Sequence, residues 1–394
     1  MASVLIAAER LIVAHRPGPA EIISPGFVRV DGERIADIGR GRPPGRPDFE
    51  LDSGFLAPGL IDVQVNGYFG HDLVDADEAG WHTIVRRLPE TGVTAFLPTF
   101  ITAPVPLLTD ALRKTAGLLP GLPAGSRVLG VHLEGPFLSE KRRGAHNARW
   151  LTDATPDALR ELLATGLVKV MTLAPERTGG LAAVRTLTGA GVLVSVGHSD
   201  ATAAQVAAAA DAGARMVTHL FNGQSGIHHR TPGVAAQALT DERLTSGLIA
   251  DMAHVAPVVC KLAIDAAPGR IVLVTDAVAA AGMPPGRYDL GGEPIELPAE
   301  GPPLRADGTL AGSALRLDAG VTNVVRLGVD LTVAIDAATR VPANLMGRPD
   351  LGRIAPGALA DLVWLDTDEH DDDPGALRAR ATWVAGKLVF EGER

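Results

Sequence analysis

The chain has a single cysteine, Cys260. One thiol cannot close an internal disulfide, so the composition fits a reducing compartment, the cytoplasm. In a helical apolar pattern, Cys260 is expected to be a buried thiol without a role in chemistry. Long apolar runs are missing as well. No stretch reaches the roughly 20 residues needed to cross a bilayer. The opening MASVLIAAERLIVAHR is apolar but interrupted by Glu9 and Arg10, and no signal-peptide core follows a basic start. A cytoplasmic, soluble chain with no membrane partner is expected. Positive charge is in deficit, with 36 Lys and Arg against 46 Asp and Glu and a formal net charge of -10. That balance argues against a nucleic-acid partner, although a local Arg/His pocket can still receive a small anion. Finally, no Gly-rich dinucleotide fingerprint follows the first predicted strand, which ranks a doubly wound open sheet well below a barrel.

What is present is ample core material. Of 394 residues, 46% are hydrophobic and 21% charged, enough for a barrel plus a small extra domain. Both ends are strand-rich. SVLIAAERLIVA and GFVRVDGERIADIGRG open the chain, the second with Asp-Gly at a hairpin turn; ALADLVWLD and ATWVAGKLVFEGER close it. One small β-sandwich domain built from residues 1–57 and 348–394 is expected. Between them, residues 58–347 alternate apolar runs with helical stretches. The eight runs are LIDVQVN, TAFLPTF, RVLGVHLEG, VKVMTLAPE, VLVSVGHS, RMVTHLFN, SGLIADMAHV and RIVLVTDA. Eight β-then-α units predict an α/β fold, a (β/α)8 TIM-like barrel. The segment beginning MPPGRYDLGGEPIELP reads as a hairpin excursion over the site. DTDEHDDDPG reads as an acidic solvated turn, in which His370 has no function.

Chemistry concentrates where the apolar runs stop. RVLGVHL is followed by Glu134, VLVSVG by His198, RMVT by His219 and RIVLVT by Asp276. In a barrel these ends share one mouth, the usual place of an active site. Glu134, His198 and His219 offer a carboxylate and two imidazoles, a catalytic divalent-metal set with one position left open. His132, two residues before Glu134, lies deeper on the same face and is expected to be a hydrogen-bonded structural histidine. Asp276 suits a general base that takes a proton from water and later returns it to a leaving group. His146, in the loop KRRGAHN, would hang over the mouth and polarise a carbonyl. Beyond runs six and seven, Asn222, Gly223, Arg230 and His254 are candidate substrate contacts, Arg230 as the expected phosphate partner. His71, His82, His228 and His229 are left as surface or loop histidines. In LIDVQVNG, Gln64 and Asn66 hold the two slots where metal-dependent barrels usually carry histidines.

Together HLEGPF, GAHN, LAPE, VGHSDAT, THLFN, HHRTPG, LVTDA, MPPGRYDLGG and DGTLAGSAL resemble the N-acetylglucosamine-6-phosphate deacetylases of the amidohydrolase superfamily. The resemblance covers nearly the whole chain. It implies removal of the N-acetyl group from N-acetyl-D-glucosamine 6-phosphate to give D-glucosamine 6-phosphate and acetate. It implies metal ligation by Glu134, His198 and His219, Asp276 as acid/base and His146 as the carbonyl-polarising group. Asn222, Gly223, Arg230 and His254 would hold the sugar phosphate, and a homodimer would let Arg230 reach the neighbouring site. Many relatives carry His-X-His in the first strand and can hold a second metal. Gln64 and Asn66 here imply one divalent ion per chain, zinc first and iron(II), cobalt or manganese as alternatives. Gln64 would then hydrogen-bond substrate or water. Asn222-Gly223-Gln224 replaces the usual Asn-Ala-Met, and Thr231 a frequent acid. These changes leave the reaction type alone and keep N-acetylgalactosamine 6-phosphate open as the alternative substrate. A metal-free scaffold on a dead barrel is the competing class, and an intact Glu/His/His/Asp set argues against it.

Overall fold

The computed structural model describes residues 3–13, 20–367 and 375–392. His370 and most of its acidic turn lie outside the described residues. Eight strands make the central barrel: β1 (Leu60–Val65), β2 (Val93–Ile101), β3 (Val131–Glu134), β4 (Val168–Leu173), β5 (Leu193–Val196), β6 (Met216–Val217), β7 (Thr245–Ile249) and β8 (Ile271–Val274). Each pairs in parallel with the next. The ring closes between β8 and β1. Asp276 N donates to Gln64 O at 2.9 Å, and Asn66 N donates to Ala277 O at 2.8 Å. Closure thus runs through residues of the site itself.

Helices α1 (Glu78–Arg87), α2 (Val105–Leu118), α3 (Pro156–Leu163), α4 (Gly180–Gly189), α5 (Ala203–Asp211), α6 (Val234–Thr240) and α7 (Pro257–Ala266) follow β1 to β7 in turn. α8 (Leu317–Arg326) follows β8 after an excursion. The strands bury both faces, as a parallel sheet under helices must. On β2, Ala95 and Leu97 join the inner cluster and Phe96 and Phe100 the outer one. β8 repeats this with Val272 and Val274 inside and Leu273 outside.

Above the inner apolar layer lies a polar one, fully buried. His132 Nε2 pairs with Thr172 Oγ1 at 2.8 Å, Thr172 with Thr218 at 2.6 Å, and Thr218 with Ser195 at 2.6 Å. The other His132 nitrogen meets Thr99 Oγ1 at 3.3 Å. A buried polar network is stable only when its members are paired, and this one makes a rigid floor for the mouth. His132 is therefore the hydrogen-bonded structural histidine the sequence suggests.

Two strands are shorter than their apolar runs. β6 has two residues because the chain turns into the left-handed region at His219, with φ of 27°. β7 stops at Ile249 because Asp251 Oδ1 accepts from the N–H groups of Ala253 and His254 at 2.9 and 2.8 Å. That turn gives the backbone an alternative to the ladder.

Both termini contribute β structure. One sheet runs Arg34–Arg40, Gly26–Asp31, Ser3–Ala8, Phe49–Leu51. The other runs Lys387–Glu391, Leu377–Val384, Leu362–Thr367, Phe55–Pro58, Leu11–Val13, Glu21–Ile23. Ile6, Val28, Ile35, Leu56, Leu362 and Trp383 share one buried core. The hairpin turn between the first two strands needs Gly32, at φ of 62°.

Candidate active site

The polar residues at the strand ends converge. Glu134 is the last residue of β3; His198, His219 and Asp276 each stand two residues beyond β5, β6 and β8. All four are buried. His198, His219 and Asp276 have φ of 46°, 27° and 52°. Left-handed backbone at a non-glycine residue costs about 1–3 kcal/mol and persists where the surroundings enforce it. Here it turns three side chains into the barrel mouth immediately after the ladder ends.

Three ligand-type atoms meet there. His219 Nε2 is 3.0 Å from Glu134 Oε1, His198 Nε2 is 3.2 Å from that oxygen, and the two Nε2 atoms are 3.1 Å apart. Proton bookkeeping shows what this set is for. His198 Nδ1 lies 2.9 Å from the Arg142 carbonyl oxygen, which only accepts. Nδ1 therefore carries the proton, and in the neutral ring Nε2 is a bare lone pair facing a carboxylate. Two acceptors at that distance repel unless a cation sits between them. Ligands of a tetrahedral site with bonds of about 2.0–2.1 Å stand roughly 3.3 Å apart, close to the spacing here. The residues fit a divalent ion. Without one, a proton takes its place: the His219 pKa is pushed up to about 9, because the Glu134 hydrogen bond and charge together outweigh burial, the largest single influence. Glu134 is held well below the usual carboxylate range, its bonds to His198 and His219 outweighing its own burial.

Asp276 stands beside this set under two amides. Asn66 Nδ2 donates to Asp276 Oδ1 at 2.7 Å, and Gln64 Nε2 donates to the same oxygen at 3.1 Å and to Glu134 Oε1 at 3.3 Å. A carboxylate only accepts, so each amide nitrogen must face it. Gln64 thus sits between two carboxylates, fully buried below the cavity. Burial first, then the Glu134 charge, push the Asp276 pKa up to about 6, against His219, His254 and the Asn66 bond. A carboxyl group held there can exchange a proton near neutrality.

The His146 loop closes the third side. Thr102 N donates to His146 Nδ1 at 3.3 Å, and Thr102 Oγ1 lies 2.9 Å from the same nitrogen. With Nδ1 accepting, a neutral His146 carries its proton on Nε2. Burial above all holds its pKa well below the usual histidine range, so the ring is neutral.

A cavity of about 270 Å³ opens on these groups. Glu134, His146, His198, His219, Asn222, Gly223, His254 and Asp276 all line it, with Asn66. Its far wall is Leu290, Thr309 and Leu310 from the excursion. The volume is just below that of drug-sized sites, which suits a single small ring. Gly223 backs directly onto a ligand-type ring: at φ of 56°, a Cβ there would fall 2.7 Å from His198 Nδ1. His254 is fixed by Asp251 Oδ2, 2.6 Å from its Nδ1. Arg230 is different. It is exposed in the loop after β6 and does not line the cavity, and no Lys or Arg does among the described residues.

Several contributors escaped sequence reasoning. Asn66 shares the inward face with Gln64 by period two, and that spacing was the available signal for its bond to Asp276. Leu290, Thr309 and Leu310 carry no chemical mark. The Arg142 carbonyl, which sets the His198 tautomer, is a backbone atom that no residue type announces.

Comparison with known proteins agrees with this geometry. The model of the amidohydrolase family matches residues 55–389. The bovine N-acetylglucosamine-6-phosphate deacetylase is 39% identical over 88% of this chain and 86% of its own. An N-acetylgalactosamine-6-phosphate deacetylase of Escherichia coli O157:H7 is also 39% identical, over 86% and 89%. Among solved structures, an aspartate-to-alanine mutant of the N-acetyl-D-glucosamine-6-phosphate deacetylase of Mycobacterium smegmatis, in complex with N-acetyl-D-glucosamine-6-phosphate, superposes with a TM-score of 0.91. It is 33% identical and covers 99% of this chain and 100% of its own.

Proposed function

We infer, for a chain that belongs to the amidohydrolase family and within it to the N-acetylglucosamine-6-phosphate deacetylases, that it hydrolyses N-acetyl-D-glucosamine 6-phosphate to D-glucosamine 6-phosphate and acetate. The observation that carries this reading is the convergence of Glu134, His198 and His219 beside Asp276 in one small cavity. The enzyme is metal-dependent. Glu134 Oε1, His198 Nε2 and His219 Nε2 would hold one divalent ion, zinc first, with iron(II), cobalt or manganese suiting the same donors. Such an ion supplies Lewis acidity and makes water a competent nucleophile near neutral pH.

The chain's own groups do the rest. Asp276 Oδ2, facing the cavity, takes the proton of the attacking water. The same carboxyl group returns it to the departing sugar nitrogen, so the amine leaves neutral. Asn66 and Gln64 keep Oδ1 occupied and the carboxylate in one orientation. His146 donates its Nε2 proton as a hydrogen bond to the acetyl oxygen, where negative charge develops. Asn222, Gly223 and His254 line the sugar side. The N-acetylgalactosamine epimer is the second reading, favoured by the 39% identical relative from Escherichia coli O157:H7. A substrate panel separates the two.

Three further assignments belong to the same reading. The division into residues 1–57 with 348–394 and residues 58–347 is supported by one core built from both termini, Ile6 to Leu56 with Ile354 to Trp383. The single buried thiol, Cys260, suits the cytoplasm, and no helix among the described residues is long and apolar enough to cross a membrane. A homodimer is proposed because, among the described residues, no guanidinium lines the single-chain cavity, while Arg230 is exposed in the loop after β6. Arg230 of a second copy would complete the site.

The phosphate assignment has a direct test. A guanidinium–phosphate pair is charge-assisted, and losing about 1.5 to 3 kcal/mol corresponds to roughly ten- to two-hundredfold. Arg230→Ala should lower kcat/KM on the 6-phosphate by that factor and leave the slow turnover of unphosphorylated N-acetylglucosamine nearly unchanged. Equal losses on both sugars would remove Arg230 from phosphate recognition.

A further inference from the structure

The excursion after β8 does more than roof the cavity. Its two strands, Gly286–Leu290 and Glu293–Leu297, pair antiparallel. Residues 303–312 return alongside them: Glu296 and Leu304 exchange backbone hydrogen bonds at 2.9 Å in each direction. Leu290, Ile295, Leu297 and Ala311 share a small core with Val278 and Ala280, and Ala145 of the His146 loop packs against it. The turn is pinned by Gly291 N, which donates to Asp72 Oδ2 at 2.7 Å. Hairpin and return segment therefore form one unit.

That unit grips the residues on both sides of His146. Arg305 Nη1 donates to the carbonyl oxygen of Ala145. Asn147 Nδ2 donates to Glu293 Oε1 at 2.9 Å. The two grips are joined, because Arg305 Nη2 donates to Glu293 Oε2 at 3.1 Å. One ion pair on the roof thus brackets the catalytic loop at positions 145 and 147. Among the described residues, the ring itself meets Thr102 at Nδ1 and His198 Nε2 at 3.2 Å from its own Nε2.

We propose that Glu293 and Arg305 are positioning residues for His146, coupling the roof that contacts the substrate to the group that polarises its carbonyl. The inference rests on the role given to His146 above. Its physical basis is a comparison of costs. The side chains of Arg305 and Glu293 are 21% and 32% exposed, and an ion pair in that setting contributes little to global stability. The orientation of a catalytic hydrogen bond is far more sensitive, since a displacement of about 1 Å can cost on the order of a hundredfold in rate. The pair's loss should therefore appear in kcat before it appears in the melting temperature. Leu290, Thr309 and Leu310 belong to the same unit and line the cavity. Seating of a substrate against them bears on the His146 loop through this pair.

The test is a double-mutant cycle on the metal-loaded enzyme. Arg305→Ala should lower kcat about ten- to a hundredfold, with KM changed less than about threefold and with metal content retained. Added guanidinium should restore part of the rate. In a His146→Ala background the same substitution should cause no further loss, because groups that act through one another are not additive. If Arg305→Ala folds poorly, Glu293→Gln replaces it: the amide still accepts from Asn147 but gives up the charge pair, and the same cycle applies. Equal losses with and without His146, or an unchanged kcat in the native background, would overturn the inference. Turnover by the wild type with additive losses defeats this inference alone; a wild type without turnover defeats the functional reading together with it.

Discussion

Asp276→Asn is expected to abolish turnover while leaving the fold, the metal and the substrate complex in place. The structure makes this substitution unusually clean. Asparagine tolerates the left-handed backbone that Asp276 adopts, at φ of 52°. Its Oδ1 can still accept from Asn66 Nδ2 and Gln64 Nε2, which now hold the carboxylate at 2.7 and 3.1 Å. Its Nδ2 would then replace the oxygen that faces the cavity, and an amide nitrogen cannot take a proton from water. General acid–base catalysis is typically worth about 10² to 10⁴ in rate. Because one group serves both transfers here, kcat should fall by at least the upper part of that range. Metal analysis should still give one equivalent, and substrate affinity by calorimetry should stay within a few fold. A variant with near-normal kcat would remove Asp276 from the mechanism.

The second large effect concerns the ion. Purified chain should carry close to one equivalent of a divalent metal. His198→Ala or His219→Ala should bring this well below a tenth, since each leaves two of three protein donors. Activity should fall in proportion to the metal lost. Removing the ion from the native chain should also lower thermal stability. A ligand present at a thousand times its Kd stabilises the folded state by about 4 kcal/mol, so chelation should cost several degrees in melting temperature. The chelated protein leaves His198 Nε2 and Glu134 Oε1 facing each other at 3.2 Å, compensated by a proton on His219 and by the Nε2 proton of His146, 3.2 Å from His198 Nε2. Two tightly bound equivalents would contradict the reading of Gln64 and Asn66, whose nitrogens are turned to carboxylates.

Much of this architecture can be read from residue order. The eight apolar runs announce the barrel because a parallel strand buried on both faces leaves little room for polar residues except at its ends. For the same reason Glu134, His198, His219 and Asp276 stand out: each terminates a run, and each titrates. What stays hidden is what depends on backbone path. The run RMVTHLFN gives no sign that the ladder ends after Val217, since the turn is made by φ at His219. Nothing in KRRGAHN shows that the Arg142 carbonyl fixes the His198 tautomer. Asn66 was visible as a departure from a two-histidine pattern, yet its bond to Asp276 requires β8 to close on β1, a contact spanning 210 positions. Arg230 shows the opposite limit. Its residue type announces a phosphate partner, but on one chain it lies outside the cavity.

The central claim is an amide hydrolysis at this one site, and product analysis tests it most directly. Wild-type chain holding one equivalent of zinc, mixed with N-acetyl-D-glucosamine 6-phosphate, should release acetate and D-glucosamine 6-phosphate in equal amounts, and Asp276→Asn under identical conditions should release neither. Wild-type chain that is fully metal-loaded and folded but liberates no acetate, or an Asp276→Asn variant that liberates it as fast, would contradict the account.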